Sequence, residues 1–424
     1  MAKEKLVLIG NGNAGMKALH ALFDIAPEQY DIRVFGAEPH LPYDRNTLSS
    51  VLADEKQVDD LHLYQPEWYA SHGIQMHLGT EITQIDREQR KVHTKTGEVF
   101  DYDRLLIGTG SKSNVLPLPG KDLRGVMTFR QIEDVNNLLA RAQVAHHAVV
   151  LGGGLQSLEI ACGLRRRGLD VTVVYRGDTL MEDQLDAEGG VMLQRTMEGL
   201  GINFLGSAEA VSLNDDGRGN VNGVSLDYGR TVGADLVVMA VGIQPNIGIA
   251  QACGLKCEQG VVVDDRLVTS DDHIYAIGEC AQYPNQGVGH IAPIMEIARL
   301  WAQHMAGSGC EQKPVLAAAH GETHSELGDM DLYAIGHTHD NEEVTPLVSR
   351  DSVMNIYKKL MVRDGFLVGA ILLGDTTDAD WYRHLVRGHI DVSAIMDKLP
   401  GGQQALRDAG FDESSPYFPT AAVS

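Results

Sequence analysis

Apolar and polar positions near the N-terminus follow a strand pattern and then, without a gap, a helix pattern. Residues 6–9 form an uninterrupted apolar run, and apolar side chains recur with helical spacing from Ala18 to Ile25. Between the two patterns lies the segment 10–15, which reads G-x-G-x-x-G. The pattern therefore predicts a strand, a tight turn and a helix in succession.

The glycines of this turn have separate roles in a dinucleotide-binding unit. Gly10 permits the tight turn, Gly12 lets a pyrophosphate approach the backbone, and Gly15 lets the helix pack closely on the strand. The N-terminus of the helix then binds the phosphates. A second apolar run ends near Glu38, whose carboxylate is expected to accept hydrogen bonds from ribose hydroxyls. Together these features predict a dinucleotide site.

The same pattern returns in the middle of the chain. An apolar run at residues 148–151 meets a glycine-rich turn at 152–157, and a helix and a second strand follow. Ser157 replaces the third glycine of this turn. Each unit also closes with an apolar strand that runs into glycine, at Gly110 and at Gly242. The duplication predicts two dinucleotide-binding domains, one for a tightly held flavin and one for an exchangeable nicotinamide nucleotide, with hydride passing between them.

Composition and charge limit the classes of molecule with which the chain can be expected to interact. The chain of 424 residues has 35 Lys and Arg against 58 Asp and Glu, a formal net charge of −23, so nucleic acid and anionic membranes are disfavoured. No apolar run reaches the length of a transmembrane helix, and the N-terminus lacks the pattern of a signal peptide. The five cysteines are scattered, unlike a disulfide framework. We expect a soluble, cytoplasmic protein.

Five segments carry a resemblance to a known family. They are VFGAEPHLPYDRNTLSSVLA (34–53), YDRLLIGTGS (102–111), GGGLQSLEIACGL (152–164), YAIGECA (275–281) and YKKLMVRDGFLVGAILLGDTTDADWYRHL (357–385). With the two glycine turns, they resemble the flavoproteins of the pyridine nucleotide-disulfide reductase superfamily, which includes rubredoxin reductases. The match is narrower still with the FAD-containing N-terminal portion of the large subunit of NAD(P)H-dependent assimilatory nitrite reductase.

The resemblance implies an α/β fold with two Rossmann-like domains and a small α+β C-terminal domain. Two apolar runs around Asp364 and Gly365 predict a β-hairpin in the last of these. We expect an FAD-binding domain at residues 1–116 and 245–311, an NAD(P)-binding domain at 117–244, a C-terminal interface domain at 312–398 and a flexible tail at 399–424.

In the family, the first glycine unit binds FAD. Arg45 and Ser49 match positions that line the isoalloxazine, and Arg45 is a catalytic candidate. A helix entered through Pro293 is expected to direct its positive N-terminus at the N1/O2 edge of the flavin. The FAD-site candidates are Gly10, Gly12, Asn13, Ala14, Gly15, Glu38, Arg45, Ser49, Ile82, Thr109, Gly110, Gly278, Glu279 and Pro293.

The second glycine unit matches the NADH or NADPH site of the family. Glu159, the other catalytic candidate, matches a glutamate that lies near the nicotinamide, and its alternative role is that of an acid in the first turn of a helix. Arg176 faces either a 2′-phosphate or water, and the family favours NADH. The NAD(P)-site candidates are Gly152, Gly154, Leu155, Ser157, Glu159, Tyr175, Arg176 and Gly242.

The resulting hypothesis is an FAD-dependent NAD(P)H oxidoreductase that passes electrons to a separate redox protein in nitrite or nitrate assimilation. The sequence has no C-x2-C pair, so the acceptor (an iron–sulfur, rubredoxin or sirohaem protein) is expected to be another molecule. No cysteine precedes Cys162, which disfavours disulfide and cysteine-peroxidase chemistry at the flavin. The alternatives are a rubredoxin or ferredoxin reductase, an NAD(P)H oxidase, and an FAD-binding subunit without productive NAD(P)H binding.

The segment 315–349 and the C-terminal domain can each be interpreted in two ways from the sequence. The segment 315–349 contains no Lys or Arg, so it forms either a docking face for a basic partner or a solvated surface. Its histidines have no spacing that fixes a metal geometry, and no metal site is predicted. Relatives use the C-terminal domain beside the flavin or for self-association, so a homo-oligomer remains an alternative to a monomer.

Overall fold

A computed structural model describes residues 3–284, 294–307, 321–412 and 414–419. The described residues fall into two compact units. Unit 1 comprises Met1–Asn114, Phe129–Asn137 and Gly242–Ala319, and unit 2 comprises Val115–Thr128, Leu138–Val241 and His320–Ser424.

Strands and helices alternate in both units, as the hydrophobic pattern predicts. In chain order the strands are β1 (Glu4–Ile9), β2 (Tyr30–Phe35), β3 (Gln75–His77), β4 (Ile82–Asp86), β5 (Lys91–Thr94), β6 (Val99–Asp101), β7 (Arg104–Ile107), β8 (Ser111–Ser113), β9 (Val126–Thr128), β10 (His147–Leu151), β11 (Asp170–Val174), β12 (Ile202–Leu205), β13 (Ala210–Asp215), β14 (Val221–Leu226), β15 (Thr231–Gly233), β16 (Leu236–Met239), β17 (Ile243–Pro245), β18 (Val261–Val262), β19 (Ile274–Ala276), β20 (Ala281–Gln282), β21 (Glu322–Leu327), β22 (Met330–Gly336), β23 (Thr345–Asp351), β24 (Ile356–Arg363) and β25 (Phe366–Leu373).

In chain order the helices are α1 (Asn13–Ile25), α2 (Leu48–Leu52), α3 (Pro66–Ser71), α4 (Ile132–Ala142), α5 (Leu155–Arg166), α6 (Ala187–Gly199), α7 (Gly248–Ala252), α8 (Ile294–Met305), α9 (Ala379–Arg387) and α10 (Gly402–Asp408). The longest of these helices, α1 and α6, each have 13 residues, and the shortest, α2 and α7, each have five. Within the described ranges, no helix is long and apolar enough to cross a bilayer.

Unit 1 is built on a parallel sheet in the order β19-β7-β1-β2-β3. The central strand β1 reads as a continuous apolar run because both faces of a parallel sheet are covered, and Leu6 and Leu8 are fully buried. Helix α1 follows β1 directly and packs against α8. An antiparallel sheet of β4, β5 and β6 completes this part of the unit.

Unit 2 contains a second parallel sheet, in the order β12-β11-β10-β16-β9, and an antiparallel sheet in the order β21-β22-β25-β24-β23. Helix α9 covers the antiparallel sheet with Trp381 and Tyr382, which are fully buried. Asp364 and Gly365 have φ of 52° and 81° and join β24 to β25, so the predicted hairpin is present. The predicted fold class, with two Rossmann-like cores and a C-terminal α+β part, is confirmed.

The prediction of a flexible tail from residue 399 is wrong for the described residues up to 419. Leu399, Leu406 and Phe418 are buried in the core that α9 covers, and Trp381 Nε1 donates a hydrogen bond to the Tyr417 carbonyl at 2.7 Å. The Gly, Ser and Pro content of the segment suggested a loose chain. Its few apolar side chains nevertheless pack because they are spaced to reach one hydrophobic cluster.

A buried ion pair connects the antiparallel sheet of unit 2 to the half of the unit that contains the parallel sheet. Lys359 on β24 has a side chain that is 3% exposed, and its Nζ lies 2.7 Å from Asp186 Oδ2 and 2.9 Å from Asp340 Oδ2. Asp186 caps α6 by accepting from the Gly189 N–H at 3.0 Å, and it also accepts from the Tyr357 hydroxyl at 2.7 Å. Burial raises the pKa of Asp186, but these hydrogen bonds outweigh burial and hold the pKa below its ordinary value.

Asp186→Ala is expected to lower the free energy of unfolding by about 2 to 3 kcal/mol, because it removes a helix cap and leaves a buried cation with one partner fewer. Since the folded-state pKa of Asp186 is depressed, its contribution is present above the unfolded pKa near 3.8 and is lost as pH falls through the folded-state pKa. Denaturant unfolding at several pH values measures both effects.

The matched control is Glu188→Gln, which breaks an exposed ion pair with Arg350 in the same part of unit 2. Its expected cost is below about 1 kcal/mol. Equal costs for the two variants would contradict the assignment of Asp186 as the anchor.

Candidate functional site

The first glycine turn leaves a gap at the start of α1. Gly10 has φ of 96°, and a Cβ added there would overlap the Gly108 carbonyl oxygen on the neighbouring strand end. At Gly15 a Cβ would lie 3.0 Å from Leu8 Cδ1, so this glycine allows helix and strand to pack closely. A Cβ added at Gly12 would meet no atom within 4 Å. The turn therefore packs tightly against the neighbouring strands at Gly10 and Gly15, whereas the space in front of Gly12 is open.

Gly12 is also the N-cap residue of α1, and no side chain caps the helix. The first N–H groups of a helix need acceptors from outside the helix. An anionic group in front of Gly12 supplies them and interacts favourably with the helix dipole. The local structure therefore suits a diphosphate.

A cavity of about 480 Å³ extends from this turn across unit 1. Its size is in the range of cofactor sites. The predicted FAD-site residues that line it are Gly10, Gly12, Asn13, Ala14, Glu38, Arg45, Ile82, Thr109, Gly110, Gly278 and Glu279. Gly15 and Ser49 are not among its lining residues, and Pro293 lies outside the described residues.

Two cation–carboxylate pairs flank the cavity. Arg45 pairs with Glu38, whose other oxygen accepts from the Tyr43 hydroxyl at 2.8 Å. Arg130 pairs with Glu279, which also accepts from the Ser111 hydroxyl at 2.8 Å. These contacts fix the orientation of both guanidinium groups at the wall of the cavity.

Burial and charge act against each other in these pairs. Burial lowers the pKa of Arg45, but the charges and hydrogen bonds of Tyr43 and Glu38 raise it by more than burial lowers it. The guanidinium therefore stays protonated. Burial also raises the pKa of the Tyr43 phenol, which stays neutral and able to donate to Glu38.

Arg130 and Ser111 were missed by the sequence analysis. Ser111 follows the glycine of the strand end directly, which is a signal that could have been used. Arg130 lies on the short segment Phe129–Asn137, which belongs to unit 1 although residues on both sides of it belong to unit 2. No local sequence pattern predicts that this segment belongs to unit 1, so the role of Arg130 becomes visible only in the folded chain.

Two buried polar atoms at the cavity have no hydrogen-bond partner in the part of the chain that the structure describes. They are Asn13 Oδ1 and Arg130 Nε. Buried polar groups normally have partners, so each atom indicates a missing ligand group. The hydroxyls of a ribityl chain can donate to Asn13 Oδ1, and phosphate oxygens can accept from Arg130 Nε. The residues present therefore fit FAD.

The turn at Gly278 brings the last predicted segment against the first. Gly278 has φ of 80°, and a Cβ there would lie 2.8 Å from Ala14 Cβ. The N–H of Gly278 donates to the Tyr283 hydroxyl at 2.8 Å. The 3₁₀ turn that begins at Gly278 thus lies beside the start of α1, although the two are far apart in sequence.

The second glycine turn, in unit 2, repeats this geometry. Gly152 has φ of 126°, and a Cβ there would overlap the Ala240 carbonyl oxygen. Gly154 is the N-cap residue of α5 without a side-chain cap, and a Cβ there would meet nothing within 4 Å. Ser157 is fully buried, and its hydroxyl donates to the Ala240 carbonyl at 3.0 Å. The serine is therefore accommodated by a hydrogen bond where the usual pattern has glycine.

Glu159 lies beyond the first turn of α5, which begins at Leu155 and has no acid in that turn. The alternative role as a first-turn acid is therefore wrong. Glu159 Oε1 accepts from the Ser325 hydroxyl of β21 at 3.1 Å. The antiparallel sheet thus helps to orient this carboxylate within unit 2.

The remaining candidates have different surroundings. Tyr175 is 5% exposed, and its hydroxyl donates to Gln194 Oε1 at 3.0 Å, so its side chain points into the protein. Arg176 is exposed. Gly242 has φ of 90° and belongs to unit 1, whereas the other NAD(P)-site candidates belong to unit 2.

Several acids of the segment 315–349 have intramolecular partners. Glu322 lies 3.3 Å from Arg383, and Asp340 bonds the buried Lys359. Parts of the acidic stretch thus stabilise the C-terminal half of unit 2. Among the described residues, no group of three His, Cys, Asp or Glu side chains is placed to hold a metal ion.

Comparisons with known proteins agree with this geometry. Residues 4–299 match the model of the family described as pyridine nucleotide-disulphide oxidoreductase. Residues 326–390 match the rubredoxin NAD+ reductase C-terminal domain. The two matches together cover both glycine turns and most of the antiparallel sheet.

The chain is 36% identical to a nitrite reductase [NAD(P)H] of Bacillus subtilis over 97% of this chain and 50% of that protein. It is 37% identical to the assimilatory nitrate reductase electron transfer subunit of the same organism, over 89% of this chain and 48% of that protein. The chain thus spans about half the length of these curated relatives.

Among solved structures, a ferredoxin reductase from Rhodopseudomonas palustris superposes with a TM-score of 0.82 at 26% identity. The match covers 94% of this chain and all of that one. The resemblance predicted from the sequence motifs is confirmed.

Gly12→Ala is expected to weaken FAD binding by about tenfold or more, because its Cβ would occupy the space in front of the first N–H groups of α1. The added Cβ meets no protein atom, so the fold should persist. Flavin content after purification and a titration of apoprotein with FAD measure the loss.

Gly154→Ala is the matched control, since it adds the same group to the equivalent open position in unit 2. It should keep the FAD affinity of the unaltered protein. An unchanged FAD affinity in Gly12→Ala would contradict the placement of the diphosphate.

Proposed function

Because this chain belongs to the pyridine nucleotide-disulphide oxidoreductase family, we propose that it passes electrons from NADH or NADPH through FAD to a separate redox protein. The predicted enzyme class, an FAD-dependent NAD(P)H oxidoreductase, and the predicted cofactor pair are confirmed by the family and its curated members. The nature of the acceptor and the productivity of the nicotinamide site belong to the proposal.

The observation that carries the proposal is the repeated empty space at an uncapped helix N-terminus. Gly12 of unit 1 and Gly154 of unit 2 are both N-cap residues without a neighbour in front of them. Each space suits a diphosphate, and a chain with two such sites can hold a flavin and a nicotinamide nucleotide at once. A protein that only stores FAD needs one of them.

The side chains of unit 1 bind and orient the flavin nucleotide. Bound FAD supplies the conversion between two-electron transfer from a nicotinamide and one-electron transfer to a metal centre. Asn13 and Arg130 offer their unpartnered polar atoms to it, and Glu38 offers a carboxylate to ribose hydroxyls. Arg45 holds Glu38 and donates to the Arg130 carbonyl at 3.1 Å, so it acts as a positioning residue for both.

Glu159 is the residue of unit 2 that we assign to the nicotinamide end of the nucleotide. The hydrogen bond from Ser325 limits the rotation of its carboxylate. A fixed acceptor orients a bound ring better than a mobile one, because less conformational entropy is lost on binding.

Cysteine chemistry is not supported by the described cysteines. Burial raises the pKa of Cys280, and its Sγ lies 3.3 Å from the Ile277 carbonyl as a hydrogen-bond donor. Burial also raises the pKa of Cys253 and of Cys257. Thiols of this kind are not poised as nucleophiles, which favours a separate acceptor protein over a disulfide substrate.

Two features favour the alternative of an FAD-binding subunit: Ser157 replaces a glycine of the second turn, and no acid stands at the end of β11. The first of these arguments is weakened, since Ser157 is buried and hydrogen bonded without disturbing the turn. The matched relatives are named as nitrite reductase and as an electron transfer subunit of nitrate reductase. We therefore assign the acceptor to the iron–sulfur or sirohaem proteins of nitrite or nitrate assimilation, with rubredoxin-type carriers as the second choice.

The test is an anaerobic visible spectrum of the flavin-loaded protein before and after addition of NADH or NADPH, followed by addition of the acceptor. The flavin bands should bleach with at least one nucleotide and return on addition of an oxidised iron–sulfur or sirohaem protein. In Gly154→Ala the flavin should remain bound but be reduced about tenfold more slowly or worse, because its diphosphate site is obstructed.

Each other outcome has a distinct meaning. Flavin that stays oxidised with both nucleotides would support the FAD-binding subunit. Rapid reduction followed by reoxidation with oxygen but with none of the redox proteins would support an NAD(P)H oxidase.

A further inference from the structure

The end of β11 lacks the residue that usually distinguishes NADH from NADPH. In dinucleotide-binding units of this type, an acid near the end of the second strand accepts a hydrogen bond from the adenosine 2′-hydroxyl. Here the strand is followed by Tyr175, whose side chain is buried, and by Arg176, which is exposed. Neither side chain can take over this role, because the Tyr175 hydroxyl is bonded to Gln194 inside the protein and the Arg176 guanidinium has no hydrogen-bond acceptor.

A carboxylate nevertheless reaches this point from the following loop. A Cβ added at Gly177 would overlap Oε2 of Glu182 and lie 2.8 Å from its Cδ. The Glu182 carboxylate thus lies against the backbone of Gly177, two residues after Tyr175. Any larger residue at position 177 would occupy the space in which the carboxylate lies. The φ angle of Gly177 is one that any residue can adopt. The glycine is therefore needed here for the space that it leaves to the Glu182 carboxylate, not for its backbone conformation.

The same loop is tied directly to the glycine turn. The N–H of Met181 donates to the Gly153 carbonyl at 2.9 Å. Met181 is 2% exposed and has φ of 52°, a conformation that the surrounding contacts must hold. The adenosine ribose of a bound dinucleotide lies between the glycine turn and the end of the second strand. Glu182, the next residue, therefore lies between the glycine turn and the end of β11, where the ribose of a bound dinucleotide is expected.

Contacts from the antiparallel sheet hold the loop from its other side. A ring nitrogen of His339 lies 2.7 Å from the Glu182 carbonyl oxygen and donates to it. Asp186, four residues later, is fixed by the buried Lys359. His339 thus holds the Glu182 backbone directly, and Lys359 holds the loop four residues further on, at Asp186. The Glu182 side chain itself is exposed.

The carboxylate is available for a ligand. Throughout the ranges that the structure describes, no ion pair involves Glu182, and its exposed side chain can accept from a hydroxyl. A carboxylate accepts a hydrogen bond from a 2′-hydroxyl and repels a 2′-phosphate. Arg176 is a solvated cation whose attraction for a phosphate is weakened by water and salt.

We propose that Glu182 replaces the missing strand-end acid, binds the adenosine 2′-hydroxyl and makes NADH the electron donor in preference to NADPH. The inference rests on the proposed function, because it concerns the nicotinamide nucleotide of the same reaction. It adds the identity of the donor and the residue that selects it.

The test compares Glu182→Ala and Gly177→Ala with the flavin-loaded unaltered protein. Glu182→Ala removes the carboxylate, whereas Gly177→Ala keeps the charge and displaces it with a Cβ. Dissociation constants for NAD+ and NADP+ and the rates of flavin reduction by NADH and NADPH are measured for each. Both variants should lose about tenfold or more of the preference for the nucleotide with a free 2′-hydroxyl.

Asp183→Ala is the matched control, since it removes an exposed acid adjacent to Glu182. It should retain the preference within about twofold, because screened surface charges contribute little. Arg176→Ala tests the competing assignment, in which the guanidinium binds a 2′-phosphate.

The outcomes separate the two levels of the argument. If neither nucleotide binds or reduces the flavin of the unaltered protein, the proposed function and this inference both fail. If NADH reduces the flavin but Glu182→Ala and Gly177→Ala keep its preference, only the inference fails. A preference for NADPH that Arg176→Ala abolishes would likewise overturn the inference and retain the oxidoreductase.

Discussion

The close approach of a glycine turn to the neighbouring strand end is the constraint on which both candidate sites depend. Gly10 lies against the Gly108 carbonyl, and Gly152 lies against the Ala240 carbonyl, at distances that no side chain would permit. Because the turn is this tight, the following helix starts immediately and leaves its first N–H groups without acceptors. A dinucleotide diphosphate would supply those acceptors, so the tight turn of the fold also creates the proposed anion site.

The antiparallel sheet at the C-terminal end of the chain has a definite part in unit 2. Lys359 fixes Asp186, Ser325 bonds Glu159, and His339 bonds the Glu182 carbonyl. All three contacts reach the nucleotide-binding half of the same unit. Most of the sheet lies in the segment that matches the rubredoxin NAD+ reductase C-terminal domain, and its contacts fall on the helix and the loop that follow the second glycine turn. It therefore acts as a support for that site.

Sequence reasoning succeeded where a function depends on residues that are adjacent in the chain. The glycine turns, the hairpin at Asp364 and the position of Glu38 could be predicted because local spacing determines their geometry, whereas Arg45 was expected from the family resemblance. It failed where apolar residues are sparse, as in the tail packed through Leu399 and Phe418. A weak pattern carries little information about packing when a few contacts to one hydrophobic cluster decide the outcome.

The sequence by itself determined the class of protein, the two glycine-turn units and the part of the cavity lining that lies on these motifs, because these follow from short motifs with their own local physics. Only the tertiary structure decided which distant side chains complete each site. Arg130 enters the first cavity on a segment whose flanks belong to the other unit, and Glu182 reaches the end of β11 from a later loop. Such placements depend on how the chain returns in space, and no periodicity or spacing along the sequence records that return.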